Sequence, residues 1–149
     1  MIYGGRAMEI KKFKLKLDKF FWAIWIPMSV LMIALTVVSA FELGALLIIL
    51  PLDVFVFYFL VSSLFGYVEL REDAVFIKFG FILKREIPYS KIRGAEKERK
   101  AISPSMLSLK NALEHVNIKY NAFDVVTVSV IGNDELIREL ERRMAGNAQ

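Results

Sequence analysis

Few residues of this 149-residue chain have the type and spacing that metal or cofactor chemistry requires. The sequence contains no cysteine and one histidine, His115. Metal ligation needs clustered thiolates, imidazoles or carboxylates, and no second imidazole or thiolate is available to join His115. The adjacent acid, Glu114, is expected on the opposite face of a strand. We therefore predict no metal site and no bound cofactor.

Covalent catalysis has equally little support. His115 is the only candidate base for a serine nucleophile, and the sequence lacks a G-x-S-x-G elbow. We expect Ser103, Ser105 and Ser108 to make loop hydrogen bonds instead. Gly4-Gly5 stands outside any strand–helix context, so no phosphate-binding loop is predicted. The sequence predicts no catalytic residue, and an enzyme is the least favoured class.

Asp53 is an unusual residue because it interrupts a long apolar run. Carboxylates within a membrane are costly and often mark ion or proton paths. One interpretation is therefore a proton-linked or oligomer-contact residue. The other, which we favour, is a protonated acid that is hydrogen-bonded to the partner helix, for example to Ser29, Thr36 or Ser39.

Two groups of basic residues have the type expected at a membrane surface. Lysines close to an anionic surface contribute about 1 kcal/mol each, and tryptophan rings favour the interface. The first group is the predicted membrane-surface contact, formed by Lys11, Lys12, Lys14, Lys16, Lys19, Trp22 and Trp25. The second is a predicted head-group or partner patch on a hairpin, formed by Lys78, Lys84 and Arg85. For this patch we favour a protein contact or a solvated surface.

These basic residues flank a strongly apolar half of the chain. Apolar residues make up 56% of the sequence, above the roughly 45–50% that is usual for soluble domains. Residues 20–66 contain no lysine or arginine. At about 1.5 Å per residue, 20–41 and 43–66 are each long enough to cross a hydrocarbon core of about 30 Å. We predict a two-helix transmembrane hairpin that turns near Ala40–Gly44.

The distribution of lysine and arginine predicts how this hairpin is oriented. Basic residues precede the first helix and follow the second, and none lies in the turn. The positive-inside rule therefore predicts a multi-pass protein of the cell membrane with both termini cytoplasmic. A cleaved signal peptide ending at Val38-Ser39-Ala40 is disfavoured, because its apolar region would exceed the usual 7–15 residues or so. Two buried helices of a soluble core are also disfavoured, since such helices keep a polar face.

The polar half predicts a small antiparallel β domain that is closed by one helix. Strands are predicted over 67–71, 74–79, 81–87, 92–99, 114–120 and 125–131. Alternation of period two supports 74–79, 114–120 and 125–131, and 92–99 is expected to be a polar edge strand. Residues 101–112 are predicted to be irregular. A helix is predicted over about 133–144, with Asn133 as its N-cap and Arg142 and Arg143 in its last turn. The fold class is thus an α+β membrane protein with a basic segment over 1–19, a hairpin over 20–66 and a β domain over 67–149.

Short motifs spread over residues 11–143 keep a recognisable order. They are Lys12-Phe13-Lys14, Lys19-Phe20-Phe21-Trp22, Tyr67–Leu70, Val75–Gly80, Ile87-Pro88-Tyr89-Ser90-Lys91-Ile92, Ile102–Leu109 and Val116–Tyr120. Together they resemble bacterial pleckstrin-homology-like (PH-like) membrane proteins, in particular the YyaB-like group. The resemblance implies a PH-like fold behind two membrane helices, and it implies placement more than activity.

The leading functional hypothesis is a non-enzymatic, membrane-anchored PH-like module on the cytoplasmic face. Its predicted partner is an unknown protein or a second copy of the chain, and contact with anionic lipid is compatible with it. The alternatives are a bacteriocin-immunity or envelope-stress protein, and a small oligomeric transporter or channel component that uses Asp53. Nucleic-acid binding is not expected, because acids offset the basic residues of Lys91–Lys100.

Overall fold

The structure is a computed structural model that describes residues 9–100, 107–109 and 112–147. The helices are α1 (Lys19–Ser39), α2 (Leu43–Phe65) and α3 (Asn133–Asn147). The strands are β1 (Lys11–Lys14), β2 (Tyr67–Leu70), β3 (Ala74–Phe79), β4 (Leu83–Pro88), β5 (Ile92–Arg99), β6 (Leu107–Leu109), β7 (Glu114–Tyr120) and β8 (Asp124–Val128). A 3-10 turn, Tyr89–Lys91, connects β4 to β5.

Helices α1 and α2 are long and apolar enough to cross a membrane, with mean hydropathies of 2.2 and 2.4. Their large apolar side chains are mostly exposed, and none of the most apolar stretch of α2 is buried within the protein. Helix α1 begins where the Asp18 carboxylate accepts the backbone N–H groups of Phe20 and Phe21. The predicted fold class is confirmed as two apolar helices, then antiparallel sheets, then a C-terminal helix.

The β domain consists of two four-stranded sheets, ordered β1-β2-β3-β4 and β5-β7-β8-β6. Strand β1 precedes the two apolar helices and pairs with β2, which follows them. The Lys16 N–H then donates to the Ser129 carbonyl at 3.0 Å, and the Ile131 N–H donates to the Lys14 carbonyl at 2.9 Å. The chain on both sides of the helices therefore builds one domain. Within the predicted basic segment, Lys11–Lys14 forms a strand of the first sheet.

Alternating residues of both sheets meet the apolar stripe of α3 in one core. This is the burial that period-two and helical patterns predict. The most buried members are Val68, Leu70, Val75, Ile77, Val116, Ile118, Val126, Val128, Val130, Leu136 and Leu140.

Strand β6 is a correction to the predicted topology. It pairs with β8 in parallel, whereas we expected only antiparallel pairing and an irregular stretch over 101–112. A three-residue strand carries too little alternation to be detected, and its pairing with β8 is non-local. Residues 101–106 and 110–111, with the predicted loop serines Ser103 and Ser105, lie outside the described residues.

The start of α3 also differs from the prediction. The Leu136 N–H donates to the Gly132 carbonyl at 3.0 Å, so Gly132, with a φ of +90°, occupies the cap position. The buried Asn133 side chain instead accepts the Val130 N–H at 3.0 Å. It thereby fixes the end of the preceding strand rather than the helix terminus.

Arg143 lies inside α3, one turn before its end, and not in its last turn. Its side chain is 1% exposed. The guanidinium donates to the carbonyls of Leu70 (3.2 Å), Arg71 (2.7 Å) and Glu9, and its Nε donates to Glu139 at 2.9 Å. One buried side chain therefore joins α3 to the β2–β3 turn and to the segment before β1.

Candidate membrane-surface site

A row of basic side chains crosses the outer face of the first sheet. The register places Lys14 opposite Tyr67, Tyr67 opposite Lys78, and Lys78 opposite Lys84. The neighbouring residues Phe13 and Ile77 are buried on the inner face. Because successive strand residues alternate between faces, these four side chains share the outer one. We call Lys14, Lys78 and Lys84 the lysine row.

The lysine row lies at the end of the sheet from which the apolar helices depart. Tyr67 follows the last residue of α2, Phe65, by two positions. On the other side, β1 ends at Lys14 and α1 begins at Lys19, with the exposed Lys16 between them. The sheet therefore presents its cations at the level where a membrane surface would lie if α1 and α2 span it.

The charges of the lysine row are not neutralised by acids. Within the part of the chain that the structure describes, no carboxylate lies within 4.0 Å of the three amino groups. Lys78 and Lys84 are directly opposite, a like-charge arrangement that disfavours strand pairing. The Tyr67 ring offers partial compensation, because its centroid lies 5.8 Å from Lys78 Nζ and 3.8 Å from Lys12 Nζ. An anionic surface would satisfy these cations.

One row farther from the helices, the same face is balanced in charge. Arg71 Nε lies 2.8 Å from a Glu69 oxygen, and its guanidinium stacks 4.0 Å from the Phe76 ring centroid. The hydrogen bond to Glu69 raises the pKa of Arg71. Glu86 lies opposite Phe76 and 3.5 Å from Arg71 Nη1. On this face the row beside the helices therefore carries three lysines and no acid, whereas the next row carries charges of both signs.

Two residues grouped with these lysines from sequence lie elsewhere. Lys11 forms an ion pair with Glu135 on α3. Arg85 lies opposite the buried Ile77, so it belongs to the inner face, where it donates to the Tyr120 hydroxyl. The structure thus brings Lys78 and Lys84 together with Lys14 and separates Arg85 from them. Neighbouring residues of a strand lie on opposite faces of the sheet, so the adjacent positions of Lys84 and Arg85 could have indicated this separation.

Arg85 instead lines a cleft at the end of the domain away from the helices. The cleft has a volume of about 160 Å³, and its other polar lining residues are Lys91, Tyr120, Asn121 and the acid Glu86. Small-molecule sites usually have volumes of about 300–1,000 Å³. The cleft is therefore of a size for one side chain or one small anionic group.

Among the described residues, two direct contacts join the apolar helices to the β domain. At the first, the second carboxylate oxygen of Asp18 accepts the Leu113 N–H at 3.0 Å, which joins the start of α1 to the start of β7. At the second, the tip of the β3–β4 hairpin packs on α2, where the Phe81 and Phe65 ring centroids are 5.3 Å apart. Sequence reasoning missed both contacts, because each joins residues that are far apart in the chain.

Asp53 contacts α1 through Thr36, one of the three hydroxyl residues proposed from the sequence. Thr36 Oγ1 lies 2.5 Å from Asp53 Oδ2 and 2.9 Å from the Met32 carbonyl oxygen. The other carboxylate oxygen is buried and has no hydrogen-bond partner among the described residues. The Thr36 hydroxyl has one proton and faces two acceptors, so it can donate to only one of them at a time.

His115 belongs to a buried polar network inside the second sheet. Its side chain is fully buried; Nδ1 lies 3.0 Å from the Leu113 carbonyl oxygen, and Nε2 lies 3.5 Å from a Glu98 oxygen. Hydrogen bonds from Lys100 and Asn117 lower the pKa of Glu98. Across residues 9–100, 107–109 and 112–147, no group of three or more His, Cys, Asp and Glu side chains could hold a metal. The network suits a role in fixing β5 against β7.

A profile of the bacterial PH domain matches residues 66–144, which is more than half of the 149-residue chain. The chain belongs to the bacterial PH domain family. The resemblance to bacterial PH-like domains inferred from the sequence is thereby confirmed. The match begins at the end of α2, so β1 and the two apolar helices lie outside it. No curated protein and no solved structure matches the chain.

Proposed function

We propose that this bacterial PH domain protein is a non-enzymatic module that α1 and α2 anchor in the cell membrane. Its β domain lies on the cytoplasmic face and binds a protein partner or a second copy of the chain. PH-like domains are generally non-catalytic. The observation that carries the proposal is the lysine row, because it places uncompensated cations where two exposed apolar helices leave the domain.

The dimensions of the helices support a membrane-spanning role. Helices of 21 and 23 residues extend about 32 and 35 Å, slightly more than a hydrocarbon core of about 30 Å. Burial of apolar surface contributes about 25 cal/mol per Å², so exposure of both helices to water would be very costly. A bilayer removes this cost, and the helices satisfy their own backbone groups.

The arrangement of charge supports a cytoplasmic β domain. The lysine row, Lys16 and Lys19 all lie at the domain end of the helices, while the turn between α1 and α2 carries only the acid Glu42. The positive-inside rule favours the basic end in the cytoplasm. Anionic lipids of that leaflet would also attract the lysine row.

The end of the domain away from the helices supports a protein partner. Phe123, in the β7–β8 turn, is 94% exposed. It is two residues from Asn121, which lines the cleft with Arg85 and Lys91. A partner that covers Phe123 could place an acidic side chain in the cleft, where arginine is well suited to a carboxylate. β4 is also an edge strand of its sheet, with backbone groups open to pairing.

The Asp53 contact supports an anchoring role for the hairpin over a transport role. Thr36 lies within the same hairpin, so Asp53 finds a hydrogen-bond partner without a second copy of the chain. An immunity or envelope-stress protein could share the anchored architecture. Gene deletion followed by a susceptibility panel tests that alternative, which predicts altered sensitivity.

Site-specific photo-crosslinking in native membranes tests the proposal. A benzophenone amino acid at Phe123 should form a protein adduct, with the mass of either a partner or a second copy. The matched control is the same amino acid at Phe41, which is 91% exposed at the opposite end of the hairpin and should form no such adduct. Arg85→Ala should weaken the Phe123 adduct while the amount of membrane-bound protein stays constant. Equal amounts of adduct at both positions, or no adduct at Phe123, would contradict partner binding at the end of the domain away from the helices.

A further inference from the structure

We propose that the tip of the β3–β4 hairpin, residues Gly80–Leu83, inserts into the cytoplasmic leaflet beside α2 and forms a third membrane contact. The proposal rests on the proposed function, because it requires α2 to lie in the bilayer. The hairpin tip would then fix the tilt of the domain over the membrane. Its ligand is the lipid leaflet itself, with apolar chains around the tip and anionic head groups at its base.

The hairpin tip is apolar at the place where hairpins are usually polar. Phe81, Ile82 and Leu83 are consecutive and are 53%, 73% and 56% exposed. Hairpin turns favour Gly, Asn, Asp and Ser, and only Gly80, with a φ of +73°, follows this preference. Three exposed apolar residues in a row call for an apolar environment that the protein itself does not provide.

The contacts of the hairpin tip place it against the apolar end of α2. The Phe81 ring centroid lies 5.3 Å from that of Phe65 and 6.5 Å from that of Tyr58. Gly80 abuts Ser62 so closely that a Cβ at this position would lie 2.4 Å from the Ser62 Cβ. The hairpin tip therefore runs along the last two turns of α2.

The length of α2 indicates that this contact would lie at membrane depth once α2 spans the bilayer. Tyr58 precedes the end of the helix by seven residues, which is about 10 Å along its axis. A helix of about 35 Å exceeds a core of about 30 Å by roughly one turn. Even if that whole turn lay in the cytoplasm, Tyr58 would remain at the level of the leaflet, and the Phe81 ring, which lies near both Tyr58 and Phe65, would lie close to the boundary between lipid chains and head groups. Trp22 and Trp25, near the start of α1, lie at a similar depth from the cytoplasmic end.

The charges at the base of the hairpin complement a lipid surface. Lys78 and Lys84 are paired across the two strands immediately below the tip. Long lysine side chains can reach head groups while apolar residues next to them enter the chain region. A free anion would satisfy the lysines but not the apolar tip, and an apolar protein groove would leave the paired lysines uncompensated. A leaflet that contains anionic lipid satisfies both.

Depth-dependent fluorescence quenching tests the insertion in the full chain. The chain has no cysteine, so single-cysteine variants can be labelled with the polarity-sensitive dye NBD. Ile82→Cys reports on the tip, Phe123→Cys is the water-facing control, and Val54→Cys, 70% exposed in the middle of α2, is the bilayer control. In vesicles of phosphatidylglycerol and phosphatidylcholine, the Ile82 probe should be quenched at least three-fold more than the Phe123 probe. Lipids with a shallow spin label should quench it more than lipids with a deep one.

The controls distinguish failure of this inference from failure of the proposed function. If the Val54 probe is quenched and the Ile82 probe behaves like that at Phe123, the anchor stands and insertion of the tip is wrong. If the Val54 probe also escapes quenching, α2 does not lie in the bilayer and the proposed function fails with it. A blue-shifted Ile82 probe that lipid spin labels do not quench would show a protein-covered tip and overturn the inference. If anionic lipid draws the hairpin tip into the leaflet, the Ile82 probe should be quenched more in the mixed vesicles than in pure phosphatidylcholine. The double variant Lys78→Gln, Lys84→Gln should abolish this difference.

Discussion

At the scale of single residues, Arg143 shows how one buried charge can organise several segments. Its guanidinium donates hydrogen bonds to three backbone carbonyls and to the Glu139 carboxylate, so each of its three nitrogen atoms has a partner. Buried ion pairs stabilise only when their remaining polar atoms are satisfied, as they are here. The position of Arg143 near the C-terminal end of α3 first indicated an interaction with the helix dipole. Its real partners come from distant segments, which no local pattern in the sequence can reveal.

Replacement of Arg143 should be severe, whereas replacement of its neighbour should be mild. Arg143→Leu leaves the carbonyls of Leu70 and Arg71 and the Glu139 carboxylate unpaired, at a cost of about 3–5 kcal/mol. For a domain of this size, the thermal midpoint in detergent should fall by roughly 12 °C or more. Arg142 contacts the same Glu139, but its side chain is 72% exposed. Arg142→Ala should therefore change the midpoint by less than about 5 °C. If the two variants lowered the thermal midpoint equally, the hydrogen bonds of Arg143 would not be important for stability.

The Glu139 carboxylate should make the stability of the β domain sensitive to acid. Burial alone would raise its pKa, but hydrogen bonds from Arg143 and Arg142 outweigh burial and hold the pKa below its ordinary value of 4.5. A group with a lowered folded-state pKa stabilises the fold above its unfolded pKa, and this stability is lost as pH falls through the folded pKa. The thermal midpoint should therefore decline below about pH 4.5, and less steeply in Glu139→Gln. An identical slope in both proteins would show that Glu139 is not the responsible group.

At the scale of elements, the sequence indicated strands where alternation is strong and missed them where pairing is distant. Strands β5 and β7 have the predicted bounds; Val116, Ile118 and Tyr120 of β7 enter the core, whereas β5 buries Ile92 and forms an edge of its sheet. Strand β6 has only three residues and pairs with β8 in parallel, so its sequence carries almost no signal. The lysines of the lysine row were each noted, but their alignment depends on the register of four strands. The local periodicity of a sequence does not determine which residues of two distant strands lie opposite each other.

The contact between the β3–β4 hairpin and α2 should depend on the absence of a side chain at position 80. Gly80→Ala would place a methyl group 2.4 Å from the Ser62 Cβ, at a backbone φ of +73° that alanine disfavours. The substitution should separate the hairpin from α2 and increase amide hydrogen exchange over residues 78–84. Gly44→Ala is the matched control, since a Cβ there would meet no atom within 4 Å. Exchange should be unchanged in this control. Unchanged exchange in Gly80→Ala would mean that the close packing at Ser62 is unimportant.

At the scale of the whole molecule, the chain enters the β domain, leaves it through α1 and returns through α2. Strand β1 lies before the helices and β2 after them, and the two pair side by side. Both ends of the apolar hairpin are therefore fixed to one sheet, and Asp18 adds a link from α1 to the second sheet. The sequence predicted the helices from their apolar length and the domain from its alternation. It could not predict how the two are joined, because that depends on contacts between residues distant in the chain.

This arrangement joins both ends of the apolar hairpin to the β domain. Two membrane-spanning helices with both ends in one domain require that domain to lie on a single side of the membrane. The cysteine-free chain allows each side to be probed by one introduced thiol. Glu42, in the turn between α1 and α2, is exposed at one end of the molecule, and Phe123 is exposed at the other.

Labelling of Glu42→Cys and Phe123→Cys with a membrane-impermeant maleimide on intact cells is the most direct test of this placement. We expect Glu42→Cys to react in intact cells and Phe123→Cys to react only after the membrane is opened. Reaction of Phe123→Cys in intact cells, with or without Glu42→Cys, would contradict a hairpin that holds the bacterial PH domain on the cytoplasmic face.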